Sequence, residues 1–88
     1  MFEIGPDEIQ ILEKLIHVEK AGTIIEESNL STKVAIDIIR QLFHYRYIKS
    51  LNRNMQTQTS FDVDGIKNTY FQITAKGFQE LNENKPTK

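Results

Sequence analysis

Apolar positions recur at intervals of three and four through the first half of the chain and change to short alternating runs after Arg46. Ile9, Leu12 and Ile16, with Ile11, Leu15 and Val18 beside them, predict an amphipathic helix that runs to about Lys20. Gly5-Pro6-Asp7-Glu8 marks its start, with Gly5 as N-cap, Pro6 at the first helical position and two acids against the positive helix end. Ile4 and Ile9 are spaced as a hydrophobic staple across that cap, and Ala21-Gly22 is read as the stop. Thr23-Ile24-Ile25-Glu26 fits a capping box and predicts a short second helix over Ile24 to Ser28, with Asn29 taking positive φ in the turn that follows. Ser31 is placed to cap a third helix, with Leu30 and Ala35 as its staple. On that helix Ala35, Ile38, Ile39 and Leu42 form the central stripe, widened by Val34, Ile36, Phe43 and Tyr45. So broad an apolar arc belongs at the centre of the core. Its opposite face is Lys33, Asp37, Arg40, Gln41 and His44.

Past Arg46, Tyr47-Ile48-Lys49-Ser50-Leu51 reads as a short strand and Thr69-Tyr70-Phe71-Gln72-Ile73 as a returning one. Phe61-Asp62-Val63-Asp64-Gly65-Ile66 carries an Asp-Gly hairpin signal between β-formers. Thr74 caps a last helix from Ala75 to about Leu81, with Ile73 and Phe78 as its staple. The fold class is therefore α+β, ordered helix, helix, helix, strand, strand, helix, over residues 1–82, with residues 83–88 as a disordered polar tail. There is no internal repeat.

Composition narrows the function. Eighty-eight residues, 39% apolar and 26% charged, make one small domain, in which nearly every apolar residue must serve the core or a partner. The longest apolar runs are far below the roughly 20 residues needed to cross a bilayer, and the opening residues lack the flank and core of a secretory signal, so a cytoplasmic location is expected. Zero cysteines exclude disulfides, thiolate metal sites and cysteine nucleophiles. The net charge of −1 hides a gradient: residues 1–29 hold seven acids and two bases, residues 30–60 hold five bases and one acid, and residues 61–88 hold four of each. A polyanion would meet the middle third.

That element order resembles the winged helix-turn-helix domains of MarR and PadR type transcription regulators, a three-helix core with a β-hairpin wing and a C-terminal helix. Two segments carry the resemblance. Leu30 to Leu42 has the spacing of the turn plus recognition helix, with the small Ala35 where that helix approaches its neighbour. Phe71-Gln72-Ile73-Thr74-Ala75-Lys76-Gly77-Phe78-Gln79-Glu80-Leu81 is similar to the Leu-Thr-x-x-Gly-x-x-x-Leu segment that closes the family's wing.

The resemblance implies duplex DNA binding as a small transcriptional regulator, with recognition helix 31–46 in the major groove and the wing on the backbone or minor groove. By position it implies that Thr32 and Lys33 meet phosphate or base edges and that Asp37, Arg40, Gln41 and His44 lie on the reading face. Arg46, Lys49 and Arg53 would neutralise phosphate. Arg40 could fork onto guanine, whereas Asp37 can only accept, for instance from cytosine N4. A homodimer is expected from half-site geometry, through helix 1 or the final helix. The family usually has Gly at the end of the recognition helix. Here Arg46 stands there, and since a left-handed Arg costs about 1 kcal/mol, a differently shaped exit is predicted. The segment Asn52 to Lys67 is long for a wing and offers two tips, Asn52-Arg53-Asn54 or Asp62 to Lys67. Only the first suits phosphate.

Other chemistry finds no support in the residues. His17 and His44 lack neighbouring carboxylates at ligand spacing, so no metal is expected. Glu26-Glu27 and Asp62-x-Asp64 are accounted for by capping and turns, and no triad, Walker-like loop or other cofactor motif is present, so no enzymatic step or cofactor is expected. Tyr45, Tyr47, Tyr70 and Phe71 are read as core at the junction of helix 3 and the wing rather than as a stacking platform. The alternative function is a winged helix used as a protein-protein interaction module, an adaptor or small complex subunit, which the near-neutral charge, the acidic first helix and Asp37 favour.

Overall fold

A computed structural model describes residues 4–84. In chain order the elements are α1 (Pro6–Lys14), β1 (Glu19–Lys20), α2 (Ala21–Glu27), α3 (Thr32–His44), β2 (Ile48–Leu51), β3 (Thr57–Gln58), a 3-10 stretch (Val63–Asn68), β4 (Tyr70–Ile73) and α4 (Ala75–Asn84). The four strands form one antiparallel sheet in the order β1-β4-β2-β3. Ile48 pairs with Ile73 and Leu51 with Tyr70 at its centre, while Lys20 pairs with Tyr70 on one side and Leu51 with Thr57 on the other. This is a small α+β domain.

The start of α1 is as the sequence predicts. Pro6 opens it, and the Gly5 amide donates to Glu8 Oε1 at 2.9 Å, so the acid at N3 satisfies the backbone ahead of the helix. Its end is not. The helix stops at Lys14 rather than near Lys20, and the buried residues are Ile11, Leu12 and Leu15, while Ile9 and Ile16, expected in the central stripe, are half-buried. The cause is tertiary: the Leu15 carbonyl accepts the Ile73 amide at 2.8 Å, and Glu19 and Lys20 then pair with Phe71 and Tyr70. The free edge of β4 offers these residues backbone partners that one more helical turn would forfeit.

Three further expectations are corrected in consequence. Ala21-Gly22 begins α2 instead of ending α1, so Thr23 lies inside the helix and forms no capping box with Glu26. Glu27, read as a capping acid, instead faces Lys14 Nζ at 3.9 Å. Asn29 does not take positive φ, which among the described non-glycine residues belongs to Arg46 and Met55. Gly22 has a packing reason to be small, since a Cβ there would stand 2.9 Å from the Lys67 carbonyl of the 3-10 stretch.

The predicted Asp-Gly hairpin is likewise absent. Val63–Asn68 coils as 3-10 turns, Asp62 Oδ1 accepting the Asp64 amide at 3.0 Å, and Gly65 sits at φ −103 without the left-handed geometry a tight hairpin requires. Ile66 is drawn into the core from this segment. The hairpin turn lies instead at the first of the two candidate tips, between β2 and β3, where Asn52 Oδ1 accepts the amides of Asn54 (2.9 Å) and Gln56 (3.0 Å). The local Asp-Gly signal yields to burial of Ile66 and packing on α2.

α3 is the centre of the core, as its pattern predicts: Ala35, Ile38, Ile39 and Leu42 are buried and Ser31 Oγ accepts the Val34 amide at 3.3 Å. It spans Thr32–His44, somewhat shorter than the predicted 31–46. Thr74 caps α4, its Oγ1 accepting the Gly77 amide at 3.0 Å. Phe78, expected to staple that cap, is 47% exposed, and α4 continues through Asn84. The remainder of the expected tail, residues 85–88, lies outside the described residues.

Candidate nucleic-acid interface

The face of α3 opposite the buried stripe is exposed along Lys33, Asp37, Arg40, Gln41 and His44. The helix then ends in a Schellman motif, in which the Tyr47 amide donates to the Leu42 carbonyl (2.9 Å) and the Arg46 amide to that of Phe43 (3.0 Å). Arg46 occupies the left-handed position of that motif at φ 67, so the exit has its usual shape despite the missing glycine, contrary to expectation. Thr74 Oγ1 donates to the Arg46 carbonyl at 2.7 Å and fixes the strained residue from the start of α4. β2 follows at once. Its alternation buries Ile48 and Ser50 and turns Lys49 part-way to solvent on the side of α3. The Ser50 hydroxyl is satisfied within the sheet, donating to the Gln58 carbonyl at 3.2 Å.

Between α3 and the β2–β3 hairpin lies an open cleft of about 1140 Å³. Asp37, Arg40, Gln41 and His44 form one wall, Arg46 and Lys49 the end, and the segment Thr57 to Phe61 the other wall, with Phe43 and Ile48 beneath. Phe61 anchors that second wall, its ring edge-on to Phe43 at 4.9 Å and to Phe71 at 5.1 Å. Six of the nine residues singled out from sequence therefore share one concave surface. Three do not line it: Thr32 and Lys33 are exposed at the start of α3, and Arg53 is exposed at the hairpin tip.

Electrostatically the cleft is biased to cations. Arg40, Arg46 and Lys49 have no ion pair with any described residue, and none of the acids between residues 4 and 29 reaches it. Asp37 is the acid among its described lining residues. The wall contributed by Thr57, Thr59 and Ser60 was not anticipated. A run of hydroxyl side chains shortly after the bases was its sequence signal, but a polar loop carries the same signal.

The aromatic residues behave mainly as scaffold. Tyr47 and Phe71 are buried and Tyr45 and Tyr70 half-buried. Tyr47 Oη donates to Glu80 Oε1 at 3.3 Å, tying the exit of α3 to α4, and Lys76 Nζ stands 4.9 Å over its ring. Burial, followed by the nearby Glu80 carboxylate, raises the Tyr47 hydroxyl above its ordinary value. Among the described residues no group of three or more His, Asp or Glu side chains is placed to hold a metal ion, and no helix is long and apolar enough to cross a membrane. Comparison of the chain with protein-family models, curated proteins and solved structures finds no match.

Proposed function

We propose that this chain is a winged-helix domain that binds duplex DNA as a small transcriptional regulator, α3 entering the major groove and the β2–β3 hairpin serving as the wing. The observation that carries the reading is the cleft in which Arg40, Arg46 and Lys49, unpaired among the described residues, lie beside Gln41 and His44. Cations held without carboxylate partners on a concave surface beside an exposed helix can exchange counterions for phosphates, while the helix face offers side chains to base edges. The sheet order supports the same reading, because β2 and β4 frame the region beyond α3 and β1 closes the far edge. Lys33 and Arg53 do not line the cleft but are exposed, at the start of α3 and at the hairpin tip, and add to the positive charge of the middle third.

Equilibrium binding to a mixed-sequence duplex, followed by fluorescence anisotropy across a salt series, tests this. With roughly four to six phosphates neutralised, affinity should fall about 100-fold or more between roughly 50 and 200 mM salt. Absence of binding at low salt would overturn the reading. Arg40→Ala should weaken binding to a selected site by about 1–3 kcal/mol while leaving the fold intact, because the side chain is exposed. The second reading, a protein-interaction module, draws on the outward exposure of Val34 (42%) and Phe78 (47%). A homodimer would pair through α1 or α4, and on α4 the exposed Phe78 offers an apolar contact.

A further inference from the structure

We propose that Asp37 is the specificity-determining residue of the cleft and that it accepts the exocyclic amino group of cytosine in the major groove, an inference that rests on the duplex-DNA reading above. The argument starts from what this carboxylate does not do. It lies one helical turn from both Lys33 and Arg40, yet it forms no ion pair and no hydrogen bond with a described residue. It stands beyond the first turn of α3, which contains no acid, so it is outside the reach of the positive helix end. It caps nothing, and Asp is a poor residue for a helix interior. Facing a polyanion, it lowers the affinity gained from Arg40, Arg46 and Lys49 at every sequence alike.

A carboxylate so placed discriminates by what it can accept. The phosphates and the guanine and thymine edges present acceptors that repel it, leaving the amino groups of cytosine and adenine. Adenine carries its amino group beside N7, a further acceptor, whereas cytosine presents the amino donor alone. Arg40, three residues on and in the same cleft, has the opposite character, a fork of donors that matches O6 and N7 of guanine. Acceptor and donor side by side on one helix face thus complement the donor and acceptors that a C·G pair displays.

The test uses the full chain. Duplexes bound from a randomised pool are sequenced, and affinities are then measured for the preferred duplex and for versions changed at single pairs. The wild-type chain should enrich a C·G pair, and replacing it by T·A should cost about tenfold in affinity. Asp37→Ala should bind mixed-sequence duplex more tightly and reduce the discrimination at that pair to about twofold or less, with an unchanged helical circular-dichroism spectrum. Asp37→Ala that keeps the wild-type preference would overturn the proposal and identify Asp37 as a solvated surface acid, while leaving DNA binding in place. Enrichment of an A·T pair in the wild type, lost in Asp37→Ala, would overturn the choice of cytosine. Failure of the wild-type chain to bind any duplex at low salt would instead remove the DNA reading itself.

Discussion

Arg46 and Gly77 are two backbone positions where residue identity and local geometry pull in different directions. Arg46 holds φ 67, a region in which an L side chain crowds its own carbonyl, and it is fixed there by the helix-exit hydrogen bonds and by Thr74. Arg46→Gly is expected to raise the stability of the domain by about 0.5–1 kcal/mol, read as a higher urea midpoint. A lower midpoint would mean that the arginine side chain contributes packing that outweighs its strain. Gly77 is the reverse case. A Cβ there would overlap the Tyr47 carbonyl oxygen and press on Ile73, because α4 crosses the exit of α3 at backbone contact. Gly77→Ala should destabilise by about 1–3 kcal/mol, and thermal melting within a degree or so of wild type would contradict that close approach. The glycine of the Thr-x-x-Gly segment was recognised from sequence by resemblance, but its neighbour, thirty residues earlier in the chain, is visible only in the fold.

At the scale of elements, α3 was the most legible. Its cap, its buried stripe and its exposed face all follow from one strong period of 3.6 residues, which no neighbour overrode. Ile38→Ala should therefore cost about 2–5 kcal/mol of unfolding free energy, whereas Val34→Ala, at 42% exposure on the flank, should stay within about 0.5 kcal/mol. Comparable losses from the two would mean that the helix is rotated from the position described. α1 and the hairpin were less legible for a shared reason. Ile16 and Val18 continue a helical spacing, but β4 presents an unfilled edge, and the strand pairing of Glu19 and Lys20 wins. Val63-Asp64-Gly65 carries a local turn signal, but Ile66 gains more by reaching the core as part of a 3-10 stretch than by standing on an exposed hairpin.

For the molecule as a whole, one titration reports on how α4 closes the domain. Tyr47 is buried beneath α4, and burial together with the Glu80 carboxylate raises its hydroxyl above the ordinary value near 10. In the unfolded chain the phenol ionises near its ordinary value, so above about pH 10 the folded state binds more protons than the unfolded state and stability falls as pH rises. Below that pH both states are protonated and the group contributes no slope. Tyr47→Phe should remove part of this alkaline loss, measured as the difference in urea midpoint between about pH 9 and pH 11. Equal alkaline losses in the two proteins would assign the effect to other groups.

The linear sequence determined which residues are polar-faced or core-faced within α3, that the chain turns extended after that helix, and that the positive charge lies in its middle third, because these depend on local period and on counting. Tertiary structure alone decided where α1 stops, which of two loops makes the hairpin, and that Arg40, Arg46 and Lys49 share a cleft with Asp37 while Lys33 and Arg53 do not line it. Those outcomes rest on pairings and packing between segments distant in the chain. Free backbone edges, shared burial and close backbone approach there outweigh local propensities worth a few tenths of a kcal/mol to about 1 kcal/mol per residue.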